Sequence, residues 1–344
     1  MDDLTKNMLF AIQQKNLVYN YNFLYYSNKK VVDSLITFNH PDGWMYQDSG
    51  ANGEVSFDDS TKSCLIQKST DDSTMTFSQV ISEFPRWNET VPGKKVSANA
   101  VIQNPSSAST NFELTFTIYD GVSKNSKTLF YESGEKKEIN VELDVDENAT
   151  KLEIDIQCST PKAILYINTI YVNIGEIALD TLPCIVQGVI GERKQYVATE
   201  NAPAEEFSLC NEVLEITDKF TRLRSVINNR FGVNPDTNNP YLINMSGQFS
   251  RAWDNGLGVD PDADDRTSQE KGGVEGDKVG TLEEDVFLKH NHGLKFSLDK
   301  PILTGKEGAA SIINTSSTSS TEDELDGKET RPVNIAELYT IKWA

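Results

Sequence analysis

Two of the chain's three histidines, His290 and His292, stand one residue apart in the segment LKHNHGLKF. On an extended segment both imidazoles project to the same side, because side chains alternate along a strand. Two nitrogens from one chain make an incomplete metal site, whereas three chains around a threefold axis would supply six. Six imidazoles favour iron(II), with zinc second because it prefers four ligands. The alternative is a polar His-Asn-His turn at the surface that binds no metal.

A metal held by six protein ligands keeps no open position for a substrate, so its role would be structural. The acidic stretch from Asp254 to Asp285 offers oxygen ligands for calcium, but its spacing matches no EF-hand loop, and solvated loops explain it better. The third histidine, His40, lies in FNHPDGW, where a turn or a strand end is the simpler interpretation. Because no residues form a recognisable catalytic motif, we expect a protein that is not an enzyme.

Composition excludes several classes of partner. The 52 acidic and 32 basic residues give a formal net charge of −20, which argues against nucleic acid because phosphate binding needs a basic patch. No apolar run approaches the about 18 residues of a membrane span, so we expect no membrane insertion. Four widely spaced cysteines, without a C-x-x-C pair, indicate free thiols made in a reducing cytoplasm.

Alternating apolar residues predict strands over residues 17–180. The alternation is clear in NFELTFTIYD, EINVELDVDE and KLEIDIQC, and clusters such as NPSSAST and DGVSKNSK separate the runs. One buried and one solvated face per strand is typical of antiparallel sheets. The sequence therefore predicts a mainly β fold that begins with a β-sandwich.

Two helices are predicted outside this region. Residues 1–16 place Met1, Leu4, Met8 and Ala11 on one face, with Asp2 or Asp3 as the N-cap. This helix would dock on its own domain, with self-association or attachment to a larger body as the alternatives. The second helix is predicted in ITDKFTRLRSVINNRFG, with Thr217 as its N-cap and Gly232 as its terminating residue. Its apolar face would contain Phe220, Leu223 and Ile227.

The start of the sandwich resembles galactose-binding-like jelly-roll domains and related carbohydrate-binding modules. The matching positions are Asn16, Leu17, Asn20, Phe23, Gly43 and Trp44. The resemblance implies that an aromatic side chain could stack on a sugar, with Trp44, Tyr46 and Trp87 as the candidates. For Trp44, a place in the sandwich core is the favoured alternative.

The second half of the chain resembles the collar-type domain of bacteriophage tail fibres. Its segments NNPYLINMSGQFSRAWDNG, GVEGDKVGTLEEDVFLKHNH and GKETRPVNIAELYTIKW follow that family's motifs in order. The matching structural residues are Cys210, Gly247, Arg251, Trp253, Asp254, Asn255, Gly256, Glu329, Thr330, Arg331 and Pro332. The chain departs from the family where CNE replaces Cys-Asp-Gly and YLINMSG replaces the Pro-Asp-Leu-Arg-Gly strand entry.

This resemblance implies a small α+β collar-like domain and an intertwined trimeric tip in which His290 and His292 of three chains hold one transition metal. The expected organisation is a short amphipathic helix at 1–16, a jelly-roll-like sandwich at 17–180, a collar-like domain at 181–256 and the His-x-His tip at 257–344.

The function that follows is a trimeric phage tail fibre, located in the virion tail and made in the bacterial cytoplasm. Its partners would be two further copies of itself, other tail proteins and a host surface glycan or outer-membrane protein. Binding would be multivalent and non-catalytic. The alternatives are a purely structural collar or baseplate fibre and a glycan depolymerase.

Overall fold

The computed structural model describes residues 2–27, 40–50, 53–284 and 334–344. One compact unit comprises Met1–Glu283 and Glu337–Ala344, and a second comprises Glu284–Ala336. Nearly all of the second unit lies outside the described residues, including His290, His292, Glu329, Thr330, Arg331 and Pro332.

The first unit is built on an antiparallel, jelly-roll-like β-sandwich, which confirms the predicted fold class. The front sheet contains, in spatial order, β1 (Met45–Gln47), β4 (Met75–Val80), β9 (Glu153–Cys158), β6 (Phe112–Tyr119) and β7 (Lys124–Tyr131). The back sheet contains β2 (Glu54–Asp58), β3 (Ser63–Gln67), β10 (Ile164–Ile174), β5 (Lys95–Gln103) and β8 (Lys136–Asp144). The alternating segments of the sequence form β6, β8 and β9, since each buries one face between the sheets.

Trp44 lies in the centre of the sandwich core. Its side chain is fully buried and stacks on Phe77 with ring centroids 4.7 Å apart. Phe23 tilts against the same indole at 5.3 Å. Because these rings are enclosed in the core, Trp44 has no exposed face for a sugar. The prediction that Trp44 stacks on a sugar is therefore wrong.

Helix α1 (Asp3–Gln13) docks on the sandwich that follows it in the chain. Asp2 caps it by accepting a hydrogen bond from the Thr5 amide at 2.7 Å. The buried face carries Thr5 and Ile12, and Arg86 donates to the Thr5 hydroxyl at 3.2 Å. Leu4, predicted on the apolar face, is instead 59% exposed, because the helix presents the Thr5 and Ile12 side to the domain.

A smaller α+β region packs beside the sandwich. Its sheet contains β11 (Arg193–Tyr196), β13 (Leu338–Lys342) and β12 (Glu206–Ser208) in spatial order. The helical segments of the described chain beyond α1 are α2 (Trp87–Thr90), α3 (Thr221–Ile227) and a 3-10 turn at Ala263–Asp265. No helix in the described ranges is both long and apolar enough to cross a membrane.

The predicted boundary at residue 256 falls inside this compact unit, which continues to Glu283. The Asp254 carboxylate accepts hydrogen bonds from the amides of Gly258, Val259 and Asp260 at 2.7–2.9 Å. These contacts cross the predicted boundary, so the chain on either side of it forms one loop structure.

Helix α3 begins later than predicted and is capped by the sandwich. Thr217 does not cap it; its first two amides, those of Thr221 and Arg222, donate to the Glu83 carboxylate at 2.7 and 2.9 Å. Leu223 and Ile227 are buried as predicted. The first amides of a helix have no acceptor within the helix, and here the Glu83 carboxylate, distant in sequence, accepts their hydrogen bonds.

Candidate functional site

The outer face of the front sheet carries three lateral rows of mostly polar side chains. The pairing registers align Met45, Ser78, Asp155, Thr117 and Ser126 in the middle row. One flanking row contains Gln47, Thr76, Gln157, Thr115 and Thr128, and the other contains Val80, Glu153, Tyr119 and Lys124. Each row crosses up to five strands, a span of about 19 Å at about 4.8 Å per strand.

Asp155 occupies the centre of this face, on the middle strand β9. The pKa of its carboxyl is raised to about 6: burial is the largest cause, the Glu153 carboxylate also raises it, and hydrogen bonds from Gln157 and Thr117 partly oppose them. Its Oδ1 is buried without a hydrogen-bond partner among the described residues. A buried carboxylate oxygen without a partner is costly while it carries charge, which agrees with the raised pKa of this group.

At the centre of the face, Thr117 points outward from β6 but is only 7% exposed, since the neighbouring side chains cover it. At one side of the face Tyr119 supports the Lys151 ammonium, which lies 4.9 Å from the ring centroid. Hydroxyl, amide and carboxylate groups thus lie side by side on this face, next to an aromatic ring.

Tyr46 and Trp87 lie elsewhere. Tyr46 is paired with the core residue Phe77, so it belongs to the inner side of the front sheet, and its hydroxyl donates to Asp48 at 2.8 Å. Trp87, on α2, packs against the sandwich core. The three aromatic residues singled out from the sequence therefore do not form one surface.

The loops beside β1 and β4 are joined around the Lys68 ammonium. Lys68 is 3% exposed, and its Nζ donates to the Ser69 hydroxyl at 3.1 Å and to the Asp71 carbonyl oxygen at 2.9 Å. Burial raises the pKa of the adjacent Asp48, but hydrogen bonds from Ser69, Gly50 and Tyr46 outweigh it and hold that pKa at about 2. The cluster fixes the loops at the β1 edge of the front sheet.

Lys68→Met is expected to lower the free energy of unfolding by about 1–3 kcal/mol, because the oxygens around Nζ lose a buried donor. Urea unfolding followed by circular dichroism measures the change. The control is Lys62→Met, since Lys62 pairs with Asp59 at 3.5 Å at the exposed surface. Equal effects of the two substitutions would contradict a stabilising role for the buried cluster.

The collar-like motif residues that the structure describes fall into two places. Cys210 lies beside β13, where its sulfur accepts from the Tyr339 amide at 3.3 Å. Arg251, Trp253, Asp254 and the turn at Asn255 and Gly256 lie together, with left-handed backbone at Asn255 (φ 54°) and Gly256 (φ 75°). Gly247 also has a positive φ, 70°. Trp253, Asp254 and Gly256 thus order one loop through their hydrogen bonds, which the sequence motif alone did not show.

The predicted metal ligands His290 and His292 lie outside the described residues. Within the described part of the chain, no group of three or more His, Cys, Asp or Glu side chains is arranged to hold a metal ion. The metal prediction therefore stays a prediction.

No protein-family model matches the chain. Protein RhiB of Rhizobium leguminosarum bv. viciae is 27% identical over 180 residues, which are 52% of this chain and 78% of that protein. Among solved structures, the CBM22-1 xylan-binding domain of Paenibacillus barcinonensis Xyn10C is 11% identical, with 38% of this chain and 85% of that chain covered and a TM-score of 0.31.

Two further solved structures have the same TM-score of 0.31. TmCBM61 in complex with β-1,4-galactotriose is 10% identical, with 47% of this chain and 99% of that chain covered. Tailspike protein 4 of bacteriophage CBA120 is 14% identical, with 46% of this chain and 21% of that chain covered. Because these scores lie below 0.5, the function of this chain has to be argued from its own side chains.

Sequence reasoning missed the front face. Asp155 and Gln157 belong to the solvated positions of KLEIDIQC, and Thr117 to those of NFELTFTIYD. Alternation identified these positions as outward-facing, but every strand of a sandwich has such positions. The pairing register was needed to bring them into one row.

Proposed function

We propose that the front sheet binds a glycan through non-catalytic contacts. The observation that supports this proposal is the alignment of hydroxyl, amide and carboxylate side chains across the outer face, with Asp155 at its centre. Sugars present many hydroxyl groups that both donate and accept, and carboxylate, amide and hydroxyl side chains are suitable partners for them. A row of about 19 Å accommodates an extended oligosaccharide of several rings.

The charge of the chain agrees with this choice of ligand. Its net charge of −20 disfavours phosphate-rich ligands, and the centre of the face carries the Asp155 carboxylate, whereas Glu153 in the flanking row is paired with Lys151. A neutral glycan avoids repulsion from Asp155. The preferred ligand is therefore a neutral host-surface polysaccharide.

The test is binding of purified protein to neutral surface polysaccharides of bacterial hosts, measured by calorimetry. Replacing both Gln157 and Thr115 by alanine is expected to weaken binding about tenfold, since two hydrogen-bonding groups are lost from one row. The matched control is Asn99→Ala with Asn140→Ala, because these residues pair at 2.8 Å on the back sheet. Equal losses in both variants would count against the front face.

We also propose that the protein is a trimeric tail fibre of a phage virion, in which the glycan sites of several chains act together. The supporting feature is the ordered series of collar-type motifs between Cys210 and Arg331. Weak individual sites gain apparent affinity through effective concentration when one particle presents many of them. In this proposal His290 and His292 hold one transition metal, iron(II) or zinc, on the trimer axis.

Replacing both His290 and His292 by alanine is expected to remove about one transition metal per three chains and to weaken the trimer. Metal bound only by the assembled state stabilises that state. Mass determination in solution combined with elemental analysis measures both properties. A native chain that is monomeric and free of metal would rule out this arrangement, whatever the glycan result.

A second candidate function is hydrolysis of the bound glycan. Asp155 has its pKa raised to about 6, and Glu153 lies two residues away on the same face of β9, about 7 Å along the strand. A protonated acid and a carboxylate at such a spacing can cleave glycosidic bonds with inversion. Shortening of the polysaccharide during incubation, absent in Asp155→Asn, would establish this activity in place of simple binding.

A further inference from the structure

A cleft of about 260 Å³ lies in the loops that follow β12, away from the front sheet. Its lining includes Arg251, Trp253, Asp260, Arg266, Asp277 and Thr281. The lining combines one large aromatic ring with charged and hydroxyl groups. This is the composition of a small polar-ligand site, in which an apolar surface gives contact area and polar groups give orientation.

Trp253 is held in place without being packed into a core. Its side chain is 50% exposed and belongs to neither hydrophobic core of the described chain. The indole Nε1 donates to the Asp277 carbonyl oxygen at 3.1 Å, and the Asp277 carboxylate accepts from the Gly256 amide at 2.6 Å. Because the loop is fixed before any ligand arrives, the indole offers a preorganised stacking surface.

The cleft is bordered by a network of two arginines and two carboxylates. Arg266 contacts Asp260 at 3.3 Å and Glu283 at 2.6 Å, and Arg251 contacts both carboxylates through Nη1. Arg251 is also half-exposed. A guanidinium has five N–H donors, so the contacts through Nη1 leave the Nε and Nη2 donors of Arg251 for a ligand.

The charge around the cleft restricts the ligand. Residues 249–284 contain ten acidic and four basic side chains, a local net charge of −6. The three cations of the lining, Arg251, Arg266 and Lys278, are matched by the carboxylates of Asp254, Asp260 and Asp277, so an anionic sugar would gain no excess counter-charge there. A neutral ring with several hydroxyl groups fits the mixture of aromatic face, guanidinium donors and carbonyl or carboxylate acceptors.

We propose that this cleft is a second saccharide site, which stacks one neutral sugar ring on Trp253. The Arg251 guanidinium donates hydrogen bonds to hydroxyl groups of the ring, and Asp277 accepts from them. The site takes a single sugar residue, whereas the front sheet takes an extended chain. It extends the proposed glycan binding to a separate surface and does not depend on the front sheet.

Saturation-transfer NMR with the methyl glycosides of glucose, galactose, N-acetylglucosamine and glucuronic acid tests the site on the full-length protein. At least one neutral glycoside is expected to receive saturation, and the glucuronide is not. Trp253→Ala should weaken the binding about tenfold, because the stacking surface is removed. The matched control is Leu257→Ala, a 78% exposed residue of the same loop, which should leave binding unchanged.

Arg251→Leu is the second variant. It should weaken sugar binding because the guanidinium donors are lost, although the Trp253 indole remains. Circular dichroism verifies that each variant is folded. The proposal is overturned if no neutral glycoside receives saturation, or if folded Trp253→Ala binds the glycoside as tightly as the wild type. The variant with Gln157→Ala and Thr115→Ala separates the two surfaces: it should keep monosaccharide binding at the cleft, while polysaccharide binding at the front sheet becomes about tenfold weaker.

Discussion

Methionine in place of Arg222 is expected to lower the free energy of unfolding by about 3–5 kcal/mol, because the buried guanidinium hydrogen bonds to two carbonyl oxygens are lost and the nearby Glu83 carboxylate loses its balancing charge. The Arg222 side chain is fully buried on α3, and Glu83, which follows β4, is 5% exposed. Burial raises the pKa of Glu83, while the Arg222 guanidinium acts to lower it. Methionine fills much of the space but leaves the Glu83 carboxylate uncompensated.

The same pair joins the sandwich to the α+β region. Arg222 donates to the Leu17 carbonyl oxygen at 2.9 Å and to the Glu83 carbonyl oxygen at 3.2 Å, while the Glu83 carboxylate accepts from the first amides of α3. Nearby, the Gly43 amide donates to the Ser225 hydroxyl at 2.6 Å. The loss of stability in Arg222→Met should therefore affect the unfolding of the sandwich and of the α+β region together.

A double-mutant cycle checks the assignment. Glu83→Gln alone should also destabilise the chain, but the combination with Arg222→Met should cost less than the sum of the two, because no charge is then left unpaired. The control is Lys6→Met, since Lys6 pairs with Asp3 at the exposed surface and should contribute little. Additive losses in the cycle would show that the two charges are not coupled.

Glycan binding at the front sheet is expected to strengthen as the pH rises from 5 to 7. The pKa of Asp155 is raised to about 6, so ionisation occurs within this range, and the carboxylate accepts stronger hydrogen bonds than the neutral acid. If only the ionised form binds, affinity rises at most about tenfold, which is the ratio of the ionised fractions. Calorimetric titration at several pH values measures the rise.

Asp155→Asn is the matched variant, because it keeps the shape and removes the ionisation. Its affinity should be independent of pH between 5 and 7 and lower than that of the wild type at pH 7. A pH dependence that survives in this variant would assign the titration to another group. An affinity in the wild type that falls with pH would contradict the acceptor role of the carboxylate.

The contribution of Asp155 to the stability of the fold should decrease as the pH rises, whereas glycan binding strengthens. Between the ordinary pKa of 3.8 and the folded value of about 6, the folded protein retains a proton that the unfolded chain has lost. The contribution of Asp155 to stability is therefore complete below pH 3.8 and decreases as the pH rises to 6. Asp155→Asn should exceed the wild type in stability at pH 7 by on the order of 1–3 kcal/mol, and not at pH 4.

The β-sandwich could be predicted from the sequence because its signal is local. Alternation in Phe112–Tyr119 and Glu153–Cys158 specifies which residues face the core, whatever strands lie next to them. The cap of α1 is local as well, since Asp2 lies three residues before Thr5. The α1 face was assigned incorrectly because helical spacing leaves open which side meets the domain.

The candidate sites depend on contacts between residues far apart in the chain. Thr117 and Asp155 become neighbours only through the register of β6 with β9, and Glu83 meets Arg222 across 139 positions. Trp44 illustrates the reverse case. Its residue type suggested sugar stacking, but packing against Phe77 and Phe23 decided that it is a core residue.

By itself, the sequence determined the sandwich and the acidic character that disfavours nucleic acid, and it drew attention to the segment around Trp253. Only the tertiary structure decided which solvated positions share one face, and that Trp253 borders a cleft while Trp44 is enclosed. The reason is physical. Periodicity and charge are properties of a segment, whereas burial, unpaired acceptors and raised pKa values arise from neighbours that strand register and packing bring together.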